Sequence, residues 1–145
     1  MGIADRQGAQ RVVPAFLSYG FRPFFLMGAL WSVAALLIWI VIFVAGGSLP
    51  SRFSPLDWHI HEMLFGFVMA TIAGFLLTAI ASWVGRPPVN GALLALLASL
   101  WLFGRFVCLI SAFLPTWLAA AGDLAFPALL AGVVAREIEI GRAHV

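Results

Sequence analysis

Four apolar runs, each close to the ~20 residues an α-helix needs to cross ~30 Å of hydrocarbon, constrain this chain more than any other feature. They cover about residues 24–45, 59–83, 92–114 and 116–135. In lipid each backbone N–H and C=O must be satisfied within the spanning structure, which leaves helices or closed barrels. The runs lack the strand-like alternation that a barrel requires. Between them lie segments that cannot continue a helix: Gly46-Gly47-Ser48-Leu49-Pro50, then Gly85-Arg86-Pro87-Pro88, then Pro115. Connections this short place consecutive helices antiparallel. The expected fold is all-α: a polytopic integral membrane protein with four antiparallel transmembrane helices forming part of a larger helical bundle.

Charge agrees with this reading. Only 10% of the residues are charged and 63% are hydrophobic, against about 25% charged in a soluble domain. All eight basic residues are arginine, and the net charge is +2. No basic block with interleaved aromatics is present, so nucleic acid is not an expected partner; the partners are the lipid bilayer and further helices, with the oligomeric state open. Cys108, the one cysteine, cannot form an intrachain disulfide and reads as a small buried hydrophobe.

Residues 1–22 read as a polar cytoplasmic arm without the features of a cleaved signal, so span one is expected to direct its own insertion. Ile140-Gly141-Arg142-Ala143-His144-Val145 matches one reading frame of a common sequencing adapter. Residues 139–145 are therefore read as a non-native tail, and the chain as the start of a longer protein. Arginine counts give the orientation: Arg6, Arg11, Arg22, Arg86 and Arg136 fall on one side and Arg52 on the other, five to one. The positive-inside rule then places the N-terminus in the cytoplasm and the start of span two at the outer face.

That start is Trp58-His59-Ile60-His61-Glu62. Ionisable groups at the edge of a spanning segment are costly to desolvate and point to function. Residues two apart on a helix diverge by about 200°, whereas on extended backbone they point the same way. The functional reading of His59 and His61 is therefore ligation of copper, haem iron or zinc by one or both imidazoles. The bland alternative is an interfacial histidine pair bonded to loop carbonyls. Asp57 is the expected N-cap of the span. Glu62 heads a stripe at four-residue spacing, Glu62, Gly66, Ala70, Gly74, Thr78 and Ser82, of the kind that lets membrane helices approach closely. Gly66, Ala70 and Gly74 read as helix packing, and Glu62 as a group that orients an imidazole or relays protons.

Arg105 and Asp123 form a second constellation. Arg105 lies about 13 residues into span three, roughly 20 Å deep, and Asp123 about 7 residues into the returning span four, roughly 10 Å from its start. The depths coincide in a ~30 Å core, which predicts an intramembrane ion pair. Alternatively Arg105 holds an anionic group such as a haem propionate. Pro127 is expected to interrupt span four.

Several motifs occur together in order: Phe21-Arg22-Pro23-Phe24-Phe25-Leu26, Trp58-His59-Ile60-His61-Glu62-Met63-Leu64-Phe65-Gly66, Gly74-Phe75-Leu76-Leu77-Thr78-Ala79, Trp83-Val84-Gly85-Arg86-Pro87-Pro88 and Leu102-Phe103-Gly104-Arg105. In this the chain resembles the NnrS family. The resemblance implies a multi-pass protein of the bacterial inner membrane, with more helices than this chain supplies. It also implies that the protein binds haem and copper and is linked to the response to nitric oxide and nitrosative stress. His59, His61, Glu62 and Arg105 lie within the matching motifs. The rival reading is a transporter or membrane scaffold without a prosthetic group, in which Glu62, Arg105 and Asp123 form a proton or anion path. Whether the chain is an enzyme stays open at this point.

Overall fold

A computed structural model describes residues 13–142. Arg6 and Arg11, and the end of the expected tail, Ala143 to Val145, lie outside the described residues. Four long helices follow: α1 (Phe21–Ala45), α2 (Pro55–Val84), α3 (Gly91–Leu109) and α4 (Thr116–Arg142). Short 3-10 turns at Ala15–Leu17 and Ser111–Phe113 complete the regular structure. All four helices are long and apolar enough to cross a membrane, and no strand occurs among the described residues.

The boundaries follow local chemistry. α1 ends where Gly46 takes a left-handed conformation, φ 65°, with its N–H on the Ile42 carbonyl, and Gly85 ends α2 the same way. The N-cap of α2 is Ser54 rather than Asp57: the Ser54 hydroxyl accepts from the Asp57 N–H at 3.2 Å and donates to the Asp57 carboxylate at 2.6 Å. Pro55 then fills the first helical position, where a missing N–H leaves nothing unpaired. Trp58, His59 and His61 are consequently helical. α3 stops at Leu109, short of the expected 114. α4 runs through Pro127 without the expected interruption. The helix tolerates the proline, but the Asp123 carbonyl, four residues earlier, loses its usual N–H donor.

Residues Glu62–Val68 of α2 form a π-helical segment. A four-residue step overshoots a turn of α-helix and falls short of a turn of π-helix. The segment therefore keeps the four-spaced series Glu62, Gly66, Ala70, Gly74 on one face instead of letting it drift. Side chains take up carbonyls in this widened region: the Trp101 indole donates to the Gly66 carbonyl at 3.0 Å, and the Thr71 hydroxyl to that of Phe67 at 2.9 Å.

The core lies between α1, α2, α3 and α4, built from Phe24, Ala70, Ala73, Leu77, Leu94, Leu97, Trp101, Phe126 and Leu130. The glycines on the small face of α2 make room for aromatic rings of α1. A Cβ on Gly74 would stand 2.7 Å from the Phe25 ring, and one on Gly66 would stand 2.7 and 2.9 Å from the Trp31 indole. Away from this contact α1 exposes Leu30, Val33, Leu37, Val41 and Phe43, a surface suited to lipid. At one end of the bundle Arg52 joins the α1–α2 and α3–α4 connections, donating to the carbonyls of Ser111 at 3.0 Å and Leu114 at 2.7 Å.

Gly66→Ala should drive its methyl into the Trp31 indole and destabilise the bundle by about 1–3 kcal/mol. Gly132→Ala, with nothing within 4 Å of the new Cβ, should be neutral or slightly stabilising. Denaturant unfolding in detergent compares the two.

Candidate functional site

At the end of the bundle held by Arg52, α2 turns Glu62 fully inward, with no exposed surface. A carboxylate there must find donors, because burying an unpartnered charge costs several kcal/mol. One comes from α1: the Trp31 indole N–H donates to Glu62 Oε2 at 2.7 Å. A second comes from α3, where Arg105 Nη1 reaches the same oxygen at 3.1 Å. Trp31 also lies edge-to-face on Trp101, with ring centroids 6.3 Å apart, so the two indoles brace one another.

Arg105, 2% exposed, continues the network to α4, where its Nη2 donates to Asp123 Oδ1 at 2.6 Å. Helices α3 and α4 approach closely at this level, since a Cβ on Gly104 would stand 3.4 Å from the Gly122 carbonyl and 3.5 Å from the Asp123 Cα. The tighter fit is at Gly122, where a Cβ would stand 3.1 Å from the Val107 methyls. His61 closes the ring: its Nδ1 lies 3.2 Å from Glu62 Oε1 and its Nε2 3.0 Å from Asp123 Oδ2. Glu62, Arg105, Asp123 and His61 thus form a cycle, and with Trp31 the network takes one member at least from each of the four helices.

Hydrogen-bond arithmetic governs the cycle. An ionised carboxylate only accepts, and a neutral imidazole has one donor. Both His61 contacts are hydrogen bonds only when each ring nitrogen carries a proton, and the four groups then sum to zero charge. With a neutral ring they sum to −1, and one of the two contacts loses its donor.

His59 stands apart from this cycle. Its ring stacks on Trp39 of α1 at 4.7 Å and 20°. Its Nδ1 is buried with no partner among the described residues, as are Trp39 Nε1 and Trp58 Nε1. Sequence reasoning placed Arg105 opposite Asp123 and made Glu62 a partner of an imidazole, but it missed one participant, Trp31. Trp31 was findable in principle, because an indole N–H in mid-span needs an acceptor and Glu62 is a buried one. Cys108 read as inert packing. Yet a ligand atom from each of His61, Glu62 and Cys108 falls within 4.8 Å of the other two. A cavity of about 360 Å³, lined by Arg52, Phe53, Cys108, Ser111, Thr116 and Asp123 among others, leads to this side of the cycle.

The family model described as NnrS protein matches residues 15–144. The chain belongs to the NnrS family. No curated protein and no solved structure matches it. The cycle, the stack on Trp39 and the π segment all lie within the span of this NnrS-family chain that the family model covers.

Removing one member of a buried charge network strands the rest. Arg105→Met should therefore cost about 3–5 kcal/mol. Combining it with Glu62→Gln and Asp123→Asn should recover a large part of that loss, read by unfolding in detergent. Strictly additive losses would mean that the groups do not act as a unit.

Proposed function

We propose that this NnrS-family chain belongs to a haem- and copper-binding protein of the bacterial inner membrane that acts in the response to nitric oxide and nitrosative stress. Family membership over residues 15–144 is the observation that carries the reading. The imidazoles His59 and His61 at the head of α2 are the metal-binding candidates on this chain. The N-terminus is assigned to the cytoplasm, which puts the head of α2 at the outer face. Among the described residues Arg22, Arg86 and Arg136 lie at one end of the bundle and Arg52 at the other, and the positive-inside rule supports taking the first end as the cytoplasmic one.

The donor set supports a fit. A buried ring nitrogen without a partner calls for water or an ion, and His59 Nδ1 is in that state among the described residues. Bound haem or copper would supply a redox-active centre able to bind small diatomic molecules. The chain's own residues orient that end of the site. Trp39 fixes the plane of the His59 ring, and the Glu62–Arg105–Asp123–His61 cycle fixes the rotation of α2 about its axis. The cavity beside Asp123 lies at the same end of the bundle, on the His61 side of α2.

Purification of the full-length protein tests the proposal. We expect a haem Soret band and copper by elemental analysis. We also expect cells lacking the gene to grow more slowly under a nitric oxide donor and to recover on its return. A protein with neither haem nor copper, whose loss leaves growth under the donor unchanged, would sink the reading.

A further inference from the structure

The two histidines of α2 are two residues apart on continuous helix, so their side chains leave the axis about 200° apart. They enter different surroundings. His61 has both in-plane nitrogens engaged, one by each carboxylate, at 3.2 and 3.0 Å. Its faces are also covered, since Phe53 stacks at 5.0 Å and Phe65 at 4.7 Å, nearly parallel at 8°. A metal ion binds an imidazole through an in-plane lone pair, and both directions are taken. Nor do the neighbouring donors offer a free oxygen. Glu62 Oε1 faces His61, and Oε2 already accepts from Trp31 and Arg105. The Arg105 guanidinium, on both carboxylates at 3.1 and 2.6 Å, would oppose a second cation at short range. The proximity of His61, Glu62 and Cys108 therefore does not amount to a metal centre in this arrangement.

His59 presents the opposite case. No hydrogen bond or charged partner holds its ring among the described residues; only the stack on Trp39 does, and Nδ1 is buried and unpaired. From this contrast we infer that the two imidazoles divide their tasks. His59 is the metal-binding imidazole of this segment, and His61 is a strut that joins α2 to α4 and carries no metal. The inference rests on the proposed metal-binding function and assigns it to one of the two candidate residues.

The experiment uses the full-length protein with hemin and Cu(II) as probes, following metal stoichiometry, the optical spectrum and melting in detergent. His59→Ala should lower occupancy of the affected metal by about ten-fold or more while leaving the melting of the metal-free protein unchanged. Added imidazole should restore its spectrum. His61→Gln, which keeps a polar side chain, should retain both stoichiometry and spectrum. Its metal-free form should melt several degrees lower, with His61→Ala lower still. If His61→Ala fails to fold, the His61→Gln spectrum alone decides that arm. Metal lost in His61→Gln and kept in His59→Ala would overturn the assignment while leaving the proposed function intact. A wild-type protein that binds neither probe would remove the proposed function, and the assignment of His59 with it.

Discussion

A guanidinium held in the interior of a bundle built for hydrocarbon is the constraint from which the rest of this structure follows. Arginine stays charged in proteins, so Arg105 cannot escape its desolvation by losing a proton. It must be met by anions. Two carboxylates from two other helices meet it, and each in turn creates a demand. Glu62, wholly buried, needs a further donor and takes the Trp31 indole. Asp123 leaves one oxygen for His61, which then faces two carboxylates and ties them together. The backbone is shaped to the same end. Glycine at 122 fits α4 against Val107 of α3, glycine at 66 admits the Trp31 ring, and the π segment keeps Glu62 on the face that looks inward.

This chain of demands explains why the two ends of the bundle are held differently. Away from the cycle the helices rest on apolar contact among Leu77, Leu94, Leu97 and Leu130, and on the small face of α2 against α1. Such contacts in lipid gain little from the hydrophobic effect, because acyl chains are as apolar as leucine; packing and hydrogen bonds supply the association. At the ionic end direction is added. Charge-assisted bonds at 2.6 to 3.1 Å tolerate little rotation of α2 relative to α3 and α4. Arg52 clamps the two connections at the same end, so the site sits where the chain is most tightly specified.

The spans were legible because the bilayer sets their length and because glycine and proline mark their ends. The depth argument that put Arg105 opposite Asp123 needed only the helical rise. What escaped the sequence was contact geometry and local competition. Asp57 looked like the cap of α2, but Ser54 followed by Pro55 starts the helix earlier and uses Asp57 as its partner. Pro127 looked like a break, but a helix packed against neighbours outlasts one missing N–H. Trp31 and Cys108 lie far in sequence from Glu62, and only the helix rotations bring them to it. His59 and His61 had two possible relations, shared or divergent, and the choice depended on whether residue 60 was helical. Capping at Ser54 decided it.

Replacing a buried ion network with apolar residues often leaves a protein as stable or makes it more so. Stability alone is therefore a poor reason for this bundle to keep four ionisable groups in its interior. Orientation is a better one. An apolar seam between α2 and its neighbours would accept several rotations at nearly equal energy, as uniform leucine interfaces do. The cycle accepts one, because turning α2 away leaves Glu62 or Arg105 without partners. Fixing that rotation also fixes where His59 points, although His59 makes no bond to the cycle. The ionic groups would then act on the proposed metal-binding end through the helix itself, with His61 as the link between α2 and α4 and His59 as the group whose direction the cycle sets.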